Sequence, residues 1–144
     1  MSRETDAMIE ARRWLNRGWK IEIEIDVLTK LKRETFEAVT SITAAPDGIA
    51  VSGTRDMHKF DRVAELEDKI DRLIDEEVAV KAEIVELCES IQDRRYRVIL
   101  IDRYTRFQTF EAIAVHLNYS WRQTLRLHRS ALAAAYEAIQ KRCH

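Results

Sequence analysis

The chain has 144 residues, about a third of them charged and nearly half apolar, a balance that suits one or two small folded domains and argues against wholesale disorder. The formal net charge of −1 conceals an asymmetry: residues 93–144 carry ten Lys/Arg against four Asp/Glu, and residues 1–92 carry fourteen against twenty-one. No stretch approaches the roughly eighteen consecutive apolar residues of a membrane span, so a membrane partner is not expected.

The N terminus, MSRETDAMIEARR, has no apolar h-region and no cleavage-like site, so no signal peptide is expected. Cys88 and Cys143 are far apart and form neither a disulfide framework nor a metal-ligand pair. A reducing cytoplasm is the expected compartment.

Glycine and proline occur only at Gly18, Pro46, Gly48 and Gly53; from Thr54 to His144 there is no helix breaker. The expected class is therefore all-α, with long N-terminal helices, as a helical hairpin or a coiled coil, ahead of a small C-terminal helical domain. Residues 1–42 read as an N-terminal helix through Trp14, Ile21, Ile25, Leu28 and Val39, although IEIEID at 21–26 also alternates like a strand. Residues 43–56 read as a loop or flexible link, rich in small and turn-forming residues. Residues 57–92 read as a long amphipathic oligomerisation helix. Its stripe is Val63, Leu66, Ile70, Leu73, Val80, Ile84, Leu87 and Ile91, flawed at Glu77. Such a stripe needs a partner, either the first helix or a second chain.

Residues 93–144 are the informative segment. A helix over about 94–104 carries Tyr96, Ile99, Leu100 and Tyr104, followed by a break at 105–108. Thr109 is a plausible N-cap for FEAIAVHL, whose inner face is Phe110, Ile113, Ala114 and Leu117. Asn118 then offers the positive φ that a sharp turn between helices requires. Ser120 is the N-cap of a longer helix from Trp121. On that helix Thr124, Leu127, His128, Ala131 and Leu132 form an inner face. Arg122, Arg126 and Arg129 fall opposite, within about 60° of one another at 100° per residue. No acidic residue lies between Asn118 and Tyr136 to neutralise them. A short helix, a tight turn and a capped helix with an arginine stripe is the plan of a helix-turn-helix.

The pattern RYRVILIDRY, QTFEAIAVHLNYS and LRLHRSAL resembles region 4 of sigma factors. More closely, the chain resembles small phage and prophage proteins of Gram-positive bacteria grouped with transcriptional regulators of the ArpU and RinA type. The resemblance is strongest over 93–132. It implies a regulator of phage late genes in the bacterial cytoplasm, with a supporting helix at 109–117 and a recognition helix at 120–135. The family pattern has a buried aliphatic where Thr124 stands and an arginine where Ser130 stands.

Double-stranded DNA is thus the expected partner. Arg122, Gln123 and Arg126 are expected near base edges. Ser120 and Trp121 stand at the start of the recognition helix, with Trp121 either touching a thymine methyl or sugar or packing against Tyr119 or the supporting helix. Arg129, Arg103 and Arg106 are expected on phosphates. The acidic N-terminal helices are expected to pair copies, a dimer being favoured, or to meet RNA polymerase. Two rival readings are a sigma-like protein-interaction module without DNA affinity and a ring-forming, small-terminase-like packaging subunit. His116 and His128 lie on different helices with no ligand set around them, so structural histidines are expected and no metal. No P-loop, dinucleotide fingerprint or nucleophile motif occurs, and neither a cofactor nor an enzymatic activity is expected.

Overall fold

The computed structural model describes residues 4–43 and 53–142, with side chains described at 4–40, 58 and 60–142. The chain is all-helical, with no strand among the described residues. The elements are α1 (Asp6–Leu15), α2 (Arg17–Thr43), α3 (Gly53–Glu89), α4 (Arg94–Tyr104), α5 (Phe110–Leu117) and α6 (Trp121–Arg142). None of the described helices is long and apolar enough to cross a membrane.

The segment expected as one N-terminal helix is two. Thr5 caps α1, its side chain accepting from the Met8 amide at 3.3 Å, and Asp6 favours the first turn. α1 ends at Asn16, whose N–H bonds back to Arg12 O. The new start is fixed by Arg17, which donates Nε to Trp14 O at 2.9 Å and lies 4.3 Å over the Trp14 ring. Its Nη2 reaches Glu83 Oε2 at 2.8 Å. IEIEID is helical within α2, so its alternation does not make a strand. Most of the 43–56 link lies outside the described residues, and Gly53 already belongs to α3.

The described residues fall into two compact units, one of residues up to Lys20 together with those from Val78, and one of Ile21–Glu77. In the second, Ile21, Val39, Val63, Ile70 and Glu77 are buried, and α2 meets α3 in the same chain through Lys32 and Glu67 at 3.9 Å. Ile23, Val27, Leu31 and Ile74 remain exposed there.

The first unit packs α6 against α1, α4 and α5. Its core is Ala11 and Leu15 of α1, Ile84, Leu87 and Cys88 of α3, Ile99, Leu100 and Tyr104 of α4, Ile113 and Ala114 of α5, and Leu127, Ala131, Leu132 and Ala135 of α6. Burial pushes the Cys88 thiol up to about 11, so it stays protonated and apolar in character. Trp14 carries Arg17 and Arg142 near its ring, at 4.3 and 5.8 Å, which ties the ends of α1 and α6 together.

Candidate nucleic-acid interface

The two helices that frame the arginines are fixed at their ends by side-chain chemistry. Thr109 Oγ1 accepts from the Ala112 amide at 3.1 Å, and Glu111 sits in the first turn of α5. α5 stops at Asn118, which is left-handed at φ 59° and ψ 43°. Beyond it, Tyr119 N bonds Ala114 O at 2.9 Å and Asn118 N bonds Val115 O at 3.2 Å. That is a Schellman closure around a residue type that tolerates positive φ.

α6 begins with a reciprocal box. Ser120 Oγ accepts from Gln123 N at 3.1 Å, and Ser120 N donates to Gln123 Oε1 at 2.9 Å. The inner face of α6 is Thr124, Leu127, His128, Ala131, Leu132 and Ala135, all buried. Thr124 donates Oγ1 to Ser120 O at 2.9 Å, so its hydroxyl is not buried unpaired.

The residues singled out in the sequence separate into three environments. Arg122 and Arg126 are exposed and pair with no carboxylate among the described residues. Arg126 lines a groove with Arg95, Tyr96, Tyr119, Gln123 and Ser130. Gln123 is exposed, but its carbonyl oxygen is committed to the cap, so only its amide NH2 faces outward as a donor. Trp121 meets Phe110 of α5 edge-on at 6.3 Å and stays 48% exposed.

Arg129 and Arg103 form the second environment. Both are half-buried on one cavity of about 150 Å³ that Arg12 and Glu4 also line. Arg103 donates Nη1 to Gln108 O at 3.0 Å and lies 4.2 Å over the Phe110 ring. Arg106 is the third case. Its Nη1 is 2.7 Å from Asp102 Oδ1, and the other oxygen of this buried carboxylate is 2.7 Å from His116 Nδ1. Arg106 is therefore partly neutralised by Asp102.

Beneath the arginines, Tyr104 OH and His128 Nε2 share a 2.7 Å hydrogen bond in the core. Burial pushes the Tyr104 phenol up. It also drives His128 down to about 4, with the guanidiniums of Arg103, Arg12 and Arg129 acting in the same direction. Both are neutral near pH 7.

Two features were not singled out in the sequence. Asp102 breaks the apolar run of RYRVILIDRY three residues after Ile99, and that placement on a buried face was its signal. The contribution of α1, through Ala11, Arg12 and Leu15, has no local signal, because it depends on contacts with residues more than a hundred positions away. No protein-family model matches the chain, and no curated protein or solved structure is significantly similar to it.

Proposed function

We propose that this chain is a sequence-specific regulator of transcription that binds double-stranded DNA, with α6 as recognition helix in the major groove. The observation that carries the reading is the exposed outer side of the capped N-terminal half of α6, where Arg122 and Arg126 stand without carboxylate partners among the described residues. Guanidinium forks in that position suit the O6 and N7 acceptors of guanine. Gln123 offers its NH2 as one donor to a base edge. Arg103 and Arg129 supply phosphate contacts, and Arg106 does so more weakly because Asp102 holds it. The resemblance to sigma region 4 and to ArpU- and RinA-type regulators adds phage late genes as the expected targets.

The partnership proposed for Ile21–Glu77 is self-association, favoured by Ile23, Val27, Leu31 and Ile74 on its surface. Light scattering of the purified chain tests it. A dimer fits the regulator, a closed ring fits a DNA-packaging subunit, and a monomer at every concentration removes the self-association.

Selection from a random duplex library tests the DNA reading, followed by shift assays at fixed salt on the selected and a random site. Arg122→Ala should cost about 1–3 kcal/mol on the selected site and relax one base position. A parent chain that retains no duplex even at low salt would leave the protein-interaction alternative standing.

A further inference from the structure

The geometry points to an oxyanion site shared by α1, α4 and α6, where Arg12, Arg103 and Arg129 line one cavity, and to a phosphate of the DNA backbone as its occupant. The DNA source of that phosphate rests on the function proposed above; the oxyanion site itself does not.

Three arginines from three separate helices line this cavity of about 150 Å³, with Glu4 as the one acidic lining residue. Glu4 pairs with Arg12 alone among the three, through Nη1 at 2.6 and 2.7 Å. Arg103 gives Nη1 to a neutral carbonyl. The wall is completed by Asn16, Phe110, Leu125 and the Tyr104–His128 pair, both of which are uncharged near neutrality. The lining therefore carries two positive charges in excess in a partly enclosed space, where a charge is screened less than in open water. His128 registers that potential, being depressed by all three arginines in addition to its burial.

A tetrahedral oxyanion answers that excess, because its oxygens accept from several guanidinium N–H groups at once. Arg129 belongs to the helix proposed to read bases, so a phosphate beside that helix is within its natural reach. Arg12 is the new element. It lies in α1, outside the segment that carries the arginine stripe, and makes α1 part of the nucleic-acid surface. Glu4 occupies the cavity as a resident carboxylate that an incoming phosphate must displace from Arg12.

The test uses the full chain in two arms. In the first, arginine Nε–Hε NMR signals are followed while inorganic phosphate replaces chloride at constant ionic strength. Arg12, Arg103 and Arg129 should shift and saturate together, whereas exposed Arg13 should not. Arg129→Gln should abolish saturation and Glu4→Gln should tighten it. In the second, duplex affinity is measured from 50 to 200 mM salt for the parent, Arg12→Gln and Arg13→Gln.

Loss of one phosphate contact lowers the slope of log affinity against log salt by about 0.9. The parent's advantage over Arg12→Gln should then shrink about 3.5-fold across that range, on specific and random DNA alike, with Arg13→Gln unchanged. Saturable phosphate binding with an unaltered salt slope for Arg12→Gln would keep the oxyanion site and overturn the backbone phosphate as its occupant. The three arginines responding no more than Arg13 to phosphate, together with an unaltered slope, overturns the whole inference. A parent chain that binds no duplex removes the functional reading, and the phosphate arm then decides the site by itself.

Discussion

Arg122 and Gln123 are neighbours on α6 and differ in what they can give to a base. Arg122 has its whole guanidinium to offer, while Gln123 shares its amide between the cap of α6 and whatever lies outside. Glutamate at 123 makes the same cap, since its carboxylate also accepts from Ser120 N, and an acid in the first turn favours the helix by about 0.3–1 kcal/mol. Gln123→Glu should therefore hold or raise stability in urea melts while weakening DNA binding, because the outward donor becomes a negative charge. Unchanged affinity for the selected site would remove Gln123 from the interface. His128 gives a second prediction at this scale. Its folded pKa of about 4 lies below the ordinary 6.5, so the unfolded chain takes up a proton between those values that the folded chain refuses. Its contribution to stability is whole above about pH 6.5, falls as the pH drops through that window, and levels off near pH 4, a total on the order of 3 kcal/mol. Urea melts from pH 8 to 4.5 should lose stability more steeply in the parent than in His128→Gln. Should that variant not fold, NMR titration of the parent's His128 ring gives the same answer, and a ring titrating near 6.5 would refute the burial argument.

At the scale of the helices, the turn between α5 and α6 was legible because each of its residues does one local job. Asn118 takes the left-handed backbone and Ser120 caps, and such preferences reside in the residue type. Asn118→Gly should leave stability nearly unchanged, whereas Asn118→Val should lose about 1–2 kcal/mol because a β-branched residue is strained at φ 59°. Equal melting of the two variants would show that the positive φ does not govern this turn. The same local logic found Thr109, the inner face of α6 and the start of α4. It failed at Asn16, where the division of α1 from α2 rests on Arg17 reaching Trp14 and, far along the chain, Glu83. It failed also at Phe107, which holds φ 56° between α4 and α5. A phenylalanine has no preference for that conformation, but its ring meets Trp19 at 5.3 Å and Lys81 at 4.9 Å. Of the candidate interface, the exposed arginines were readable from the 100° periodicity. The pairing of Arg106 with Asp102 spans i,i+4 and was open to the same spacing argument, whereas the bond of that carboxylate to His116 on α5 was not, because a helical wheel shows where a side chain starts and not what it meets on another helix.

For the molecule as a whole, the basic C-terminal segment read from charge and motif is not the same as the compact unit that holds it. Leu15 and Ala11 of α1 are fully buried, as are Ile84 and Cys88 of α3, and each comes from outside residues 93–144. α1 packs on α6, the helix that carries the proposed reading surface, so that surface and the core of the unit share one scaffold. Each large aliphatic side chain withdrawn from such a core removes about 1.5–3 kcal/mol of burial, and folded domains hold only about 5–15 kcal/mol in reserve. A fragment of residues 93–144 should accordingly lose the cooperative transition that the full chain shows in urea, although its local caps remain. Within the full chain, Leu15→Ala should cost about 2–5 kcal/mol, far more than a surface change in α1 such as Glu10→Ala. If the fragment instead unfolds cooperatively at the parent's midpoint and Leu15→Ala melts like the parent, α1 does not stabilise the unit. The arginine-bearing helix would then stand on α4 and α5 alone.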